Sequence, residues 1–297
     1  MDVTLALGGG GAKGNAHIGV IRRLEKEGFR IRGVAGTSFG GLVAAFYALG
    51  YSADEIEEIF ASIDQTQLYG HAPNDGPSLI GVAGITRWLE EVVGACTFAD
   101  LKLPCVLTAV DLKSGNEVFL SKGRLIDAIL ATIALPGIFP TRLVDGLELI
   151  DGGTIDPVPV APARMLAPHL PVVAVALNIP MGVPTQPWNL PFRKYWAWLI
   201  LSPLLSKMRY ASVWDVFSRS LDITSRAVTQ YRLEVDKPEI IIRPQVLQID
   251  TLDIVDVHEV AKKGEEAVEA VLPQLRNLYT WRTRWRRAID VYNHRSL

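Results

Sequence analysis

The chain has 297 residues, 49% of them hydrophobic, and a formal net charge of −2. That is enough apolar material for a large buried core. The balance of 30 Lys+Arg against 32 Asp+Glu leaves no basic excess to neutralise phosphates, which argues against nucleic acid as a partner.

In chain order, the apolar run Val3–Leu7 predicts a strand, followed by the glycine loop 8–14. A helix from Ala16 to Gly28 follows, with Ile18, Ile21 and Leu24 at helical spacing and Gly28 as its cap. A second strand is expected over Ile31–Ala35, then the turn around Ser38 and a helix through Leu42–Leu49. Ser52-Ala53-Asp54-Glu55 has the form of a capping box opening a helix over Ile56–Ile63. Thr66–Gly84 is polar and glycine-containing and reads as a loop; Ile85–Val93 reads as a helix. Cys105–Val110 and Val118–Leu120 pair as a hairpin across Lys113–Asn116. Leu125–Ile133 is helical until Pro136-Gly137, Leu147–Ile150 leads into Asp151-Gly152-Gly153, and Pro171–Leu177 is a buried strand. A last strand is expected at Glu239–Pro244 and a last helix at His258–Leu278.

Strands alternating with helices favour an α/β fold around a mostly parallel sheet. No linker interrupts the pattern, so a single domain over 1–297 is expected. Its core lies at about 3–180 and the C-terminal strand and helices at 239–297. The segment 184–208 differs in character: Trp188, Trp196, Trp198, Leu199, Ile200, Leu204 and Leu205 suit a lid or a membrane-contacting surface, though ordinary core or a dimer contact is slightly favoured. Its longest apolar run, Tyr195–Leu205, is shorter than the roughly 20 residues of a bilayer span. Arg282, Arg284, Arg286 and Arg287, between Trp281 and Trp285, offer either an anionic-headgroup contact or a solvated helix end. No signal peptide is read at the N-terminus. Cys96 and Cys105 give neither a disulfide framework nor metal-ligand spacing, so no metal is expected. A soluble, cytoplasmic protein is the expectation, with a peripheral position at the inner membrane surface left open. Oligomeric state is not readable.

Three glycine-rich motifs carry chemistry. Gly9-Gly10-Gly11-Ala12-Lys13-Gly14 follows a strand and precedes a helix, as a dinucleotide-binding loop would. No carboxylate stands at the tip of the second strand to hold a ribose, however, and the Gly-Lys-Ser/Thr of a phosphate loop is missing. A cofactor is therefore disfavoured. Consecutive glycines bring backbone N–H groups close to a ligand, which suits an oxyanion hole with Lys13 adding positive potential at its rim. Gly36-Thr37-Ser38-Phe39-Gly40 spans a strand-turn-helix junction and has the form of a nucleophile elbow. Five histidines occur, and none sits in an evident catalytic loop after Asp151; His17 reads as a packing residue. The base must then be another group. Asp151, at a strand end before Gly152 and Gly153, is the leading candidate, and partial burial would raise its pKa toward usefulness. Read alone, Asp-Gly-Gly is better explained by an Asx turn.

The three motifs together resemble the patatin-like phospholipase family: a Gly-Gly-Gly-x-Arg/Lys-Gly loop, a Gly-x-Ser-x-Gly nucleophile and an Asp-Gly-Gly/Ala base, in the family's order. Ala16–Val20, Ala131–Pro140 and Asp156–Pro159 add to the resemblance, which covers about residues 3–180. It implies a three-layer α/β/α sandwich and a Ser38–Asp151 dyad, with the oxyanion hole in Gly9, Gly10, Gly11, Lys13 and Gly14. Gly36, Gly40, Gly152 and Gly153 support the turns. It further implies hydrolysis of a lipid or lysophospholipid ester without metal or cofactor. Gly8 departs from the serine common in the family, with no effect expected on the chemistry. A lipid transacylase using the same dyad, or a non-catalytic lipid or acyl-ligand binding protein, stays open.

Overall fold

The computed structural model describes residues 1–72, 76–178, 180–183 and 209–279, with 209–219 as backbone only. The tryptophan-rich expectation at 184–208 and the Trp/Arg cluster at 281–287 lie outside the described residues.

Among the described residues, eight strands form one sheet: β1 (Asp2–Leu7), β2 (Arg30–Thr37), β3 (Cys105–Asp111), β4 (Glu117–Leu120), β5 (Arg142–Val144), β6 (Leu147–Asp151), β7 (Val172–Val175) and β8 (Ile240–Ile242). Their order is β5-β6-β3-β2-β1-β7-β8, with β4 also on β3. Along β3-β2-β1-β7-β8 each successive pair is parallel, while β3 pairs antiparallel with β4 and β6. Successive strand side chains point to opposite faces, and the sequence is sorted accordingly. Val3, Leu5, Leu7, Val34, Val173 and Val175 enter the larger core cluster. Ala6, Ala35, Val172 and Ala174 form the smaller one on the other side.

The helices are α1 (Ala16–Lys26), α2 (Phe39–Leu49), α3 (Ala53–Ala61), α4 (Ala83–Val92), α5 (Leu125–Thr132), α6 (Val160–Leu166), α7 (Arg209–Asp236) and α8 (Val257–Asn277). Ile18, Ile21, Leu24, Phe46 and Ile129 are fully buried in the larger cluster; each such side chain contributes about 1.5–3 kcal/mol by leaving water. On the opposite face the small residues of β1, β2 and β7 let α6 approach through Val160 and Ala163, with Leu233 of α7 beside them. This is the three-layer α/β/α sandwich with a mostly parallel sheet.

Local rules hold closely. Ser52 caps α3 reciprocally, its Oγ accepting from the Glu55 amide at 3.2 Å while Glu55 Oε2 accepts from the Ser52 amide at 2.7 Å. β3 and β4 form the expected hairpin. The antiparallel pair β5–β6 was not expected. Its turn is Asp145-Gly146, both at positive φ (49° and 80°), the backbone that a tight two-residue hairpin demands. Antiparallel pairing of β6 with β3 sets Asp151 opposite Ala109 and returns the following turn toward the tip of β2. No helix among the described residues is long and apolar enough to cross a membrane.

Candidate active site

Ser38 joins the end of β2 to the start of α2 with φ 55° and ψ −128°. A serine in such backbone carries on the order of 1–3 kcal/mol of strain, which the surroundings must hold in place. Its amide donates to Thr132 Oγ1 at 2.9 Å, and its carbonyl accepts from the Gly41 and Leu42 amides at 2.9 and 3.1 Å. The motif's last glycine is steric: a Cβ on Gly40 would lie 2.2 Å from the Leu7 carbonyl oxygen, so only glycine lets α2 start this close to β1. The serine side chain makes no cap hydrogen bond to α2 and stays available.

Beneath the elbow, the Thr37 hydroxyl donates to the Asp156 carbonyl oxygen at 2.9 Å. A hydroxyl has one proton, so in the 2.7 Å contact between Thr37 and Thr108 the donor is Thr108.

Asp151 is 2% exposed. Its Oδ1 accepts from the Gly153 amide at 2.7 Å, so the expected Asx turn is present. Burial raises its pKa to about 6, against the opposing pull of Ser38 and the Gly153 amide. The Ser38 side chain exerts its pull through a hydrogen bond to the carboxylate, which favours the charged form. Contacts of this kind often tighten only when substrate is bound.

The glycine loop lies against the serine, a Cβ on Gly9 being 3.1 Å from the Ser38 Cβ. Its amides divide into two groups. Gly8, Gly9 and Ala12 donate to the carbonyls of Val175, Pro157 and Thr251 at 3.0, 2.9 and 2.9 Å. The Gly10 and Gly11 amides have no acceptor among the described residues, and both residues line the same cavity as Ser38 and Asp151. Gly11 has φ +56°, where a side chain would be strained. Gly14 does not line the cavity; it packs on the Phe39 ring. Lys13 does line it. Burial lowers the Lys13 pKa, opposed by the charges of Asp222, Asp250 and Asp253.

The cavity has a volume of about 450 Å³, within the range of small-molecule sites. Its lining includes the apolar and aromatic side chains Leu42, Phe60, Leu68, Ile85, Trp88 and Ile138 together with the polar Lys13, Asn178, Asp222, Ser225 and Asp253. No histidine among the described residues lines it. His17 is wholly buried, and its Nε2–H donates to the Gly8 carbonyl at 2.7 Å, so it steadies the glycine loop as a packing residue. Burial lowers its pKa to about 4 and keeps it neutral. Thr132, Thr108 and Asp156, which hydrogen-bond the elbow, are not singled out by the sequence motifs. Thr132 and Asp156 lie in segments that carried the family resemblance, without a role attached.

Fold and site define the class: an α/β sandwich with a strained serine elbow at the tip of its second strand, facing a buried carboxylate. The chain belongs to the patatin-like phospholipase family, whose model matches residues 5–164. It is 40% identical over 182 residues to an uncharacterized NTE family protein of Mycobacterium tuberculosis, covering 59% of this chain and 49% of the relative. It is 26% identical over 306 residues to lysophospholipase NTE1 of Coccidioides immitis, covering 93% of this chain and 18% of that protein. The chain thus spans about half the length of the mycobacterial relative and less than a fifth of the fungal one. The crystal structure of VipD from Legionella pneumophila matches in fold, with a TM-score of 0.57 at 13% identity over 92% of this chain and 66% of that chain.

Proposed function

We propose that the protein is a serine lipid acyl hydrolase that cleaves phospholipid or lysophospholipid esters through an acyl-enzyme. One observation carries the reading. A strained serine faces a buried carboxylate whose pKa is raised to about 6, beside two glycine amides that have no acceptor among the described residues.

In this mechanism the acyl chain lies against the apolar and aromatic lining and the headgroup near Lys13 and the other polar lining residues. Asp151 takes the proton of the Ser38 hydroxyl as Oγ bonds to the ester carbonyl carbon. The Gly10 and Gly11 amides receive the oxyanion, a contribution of about 3–4 kcal/mol per donor in known sites. The tetrahedral intermediate collapses, the ester C–O bond breaks, and the leaving alcohol takes the proton from Asp151. Water then repeats the sequence: it gives a proton to Asp151, attacks the acyl carbon and releases the fatty acid as Ser38 Oγ regains a proton. A carboxylate with a pKa near 6 is ionised at neutral pH yet is a stronger base than an ordinary aspartate.

Hydrolysis of a lipid panel by wild type and Ser38→Ala tests this. Activity should be confined to wild type, with release of free fatty acid. Acyl transfer to an added alcohol or lysolipid in place of release would make the protein a transacylase. Absence of turnover and of covalent serine labelling in folded protein would leave a binding protein.

A further inference from the structure

Arg232 lies on α7, outside the stretch matched by the family model, yet it reaches the segment between the Asp151 turn and α6. Its Nε donates to Asp156 Oδ1 at 3.2 Å, and its Nη2 lies 2.9 Å from Oδ2. Asp156 is fully buried. Asp236 and Glu117 stand 3.4 and 3.6 Å from the same guanidinium, so one cation holds three carboxylates together. The single Nε–H bond to Oδ1, with the Nη2 charge close to an Oδ2 that has no hydrogen-bond partner of its own among the described residues, holds the Asp156 carboxylate against the guanidinium in one orientation.

The backbone of Asp156 and Pro157 is bonded to three parts of the site. The Asp156 carbonyl accepts from the hydroxyl of Thr37, the residue before Ser38, at 2.9 Å. The Pro157 carbonyl accepts from the Gly9 amide, in the glycine loop, at 2.9 Å. The Asp156 amide donates to the Gly152 carbonyl, in the turn after Asp151, at 2.9 Å. Two consecutive residues therefore tie together the elbow, the loop and the acid turn. Pro157, with no N–H and a fixed φ, has little freedom to re-form these bonds in another arrangement.

We infer that the buried Asp156–Arg232 pair is a positioning element of the active site, through which α7 sets the alignment of Ser38, Asp151 and the glycine loop. The inference rests on the Ser38–Asp151 reading. With Arg232 shortened, Asp156 is left as an uncompensated buried charge, and the 156–157 segment shifts toward water or toward a new partner. All three anchored segments then lose their common reference. Misplacement by about 1 Å far from the chemistry can cost on the order of 100-fold in rate.

The test compares wild type, Arg232→Met, Arg232→Lys and Arg164→Met, each assayed well below its own melting temperature. Arg164 is the control. It anchors the same end of α7, donating to Glu239 Oε1 and the Lys237 carbonyl at 2.9 Å each and to the Asp236 carbonyl at 3.2 Å, with no bond to 156–157. The readouts are the rate of fluorophosphonate labelling at Ser38, and kcat and KM for a soluble short-chain ester. Arg232→Met should lower the labelling rate and kcat by about 10- to 100-fold while KM changes less than about twofold. Arg232→Lys, which keeps the charge but not the fork, should fall between Met and wild type; it carries the test if Arg232→Met does not fold. Arg164→Met should lose stability and keep its kcat. Equal kcat in the Arg232 and Arg164 variants, with wild type labelled at Ser38, would overturn the positioning role alone. A folded wild type that does not label at Ser38 would remove the dyad and this inference with it.

Discussion

Replacing Asp151 with asparagine should stop catalysis and stabilise the fold, by an amount that depends on pH. The carboxyl titrates at about 6 in the folded chain against 3.8 for the free side chain, because burial disfavours its charge. The folded state thus holds the proton more tightly than the unfolded one, so wild-type stability falls as pH rises from about 4 through 6. Each pH unit of separation is worth ~1.36 kcal/mol, so ionised Asp151 costs about 3 kcal/mol at pH 8 and about 1 kcal/mol at pH 4.5. Asparagine keeps an acceptor oxygen for the Gly153 amide, a bond of 2.7 Å in wild type, and carries no charge to bury. The stability difference between Asp151→Asn and wild type should therefore be about 2 kcal/mol more favourable to the variant at pH 8 than at pH 4.5. Urea denaturation of both proteins at the two pH values measures it, and comparing variant with wild type cancels every other titrating group. A difference that does not change with pH would refute the raised pKa. So would a kcat/KM profile lacking an ascending limb near pH 6, where the free base must ionise.

His17 should act with the opposite sign. Its pKa of about 4 lies below the 6.5 of the free ring, so the unfolded state binds the extra proton and stability is lost as pH falls from 6.5 toward 4. The loss amounts to about 3 kcal/mol at pH 4, and a His17→Gln variant followed by denaturation across this window should lack that slope. Thr132→Val removes the acceptor of the Ser38 amide, so the elbow should relax; kcat should fall by at least about tenfold, with roughly 1–3 kcal/mol of stability lost to the unsatisfied amide. Gly40→Ala would push a methyl to 2.2 Å from the Leu7 carbonyl oxygen, and thermal melting should show one of the largest losses of any point variant here.

Much of the site is legible in the sequence because its parts are local. A strand, a glycine-bracketed serine and a helix place Ser38 within five residues, and consecutive glycines declare a backbone that must come close to something. Which glycine amides are available was not legible. Pro157 and Thr251 take the Gly9 and Ala12 amides and leave those of Gly10 and Gly11, and both acceptors come from far along the chain. The same distance hides Thr132, which reaches Ser38 across 94 residues, and Arg232, which reaches Asp156 across 76. Asp151 illustrates a different limit. Its Asx turn and its place opposite Ser38 are satisfied together, and no local rule decides between two roles that are compatible. The β5–β6 hairpin, by contrast, was signalled by Asp145-Gly146, but strands of three and five residues give too short an alternation to stand out.

The most direct test is fluorophosphonate labelling, with mass-spectrometric location of the adduct, in wild type, Ser38→Ala and Asp151→Asn, run beside fatty-acid release from a lysophospholipid. The expected result is a single adduct on Ser38 in wild type, none in Ser38→Ala, slow labelling in Asp151→Asn, and fatty-acid release only where labelling is fast. Near-wild-type release of fatty acid by folded Ser38→Ala or Asp151→Asn would contradict the Ser38–Asp151 mechanism.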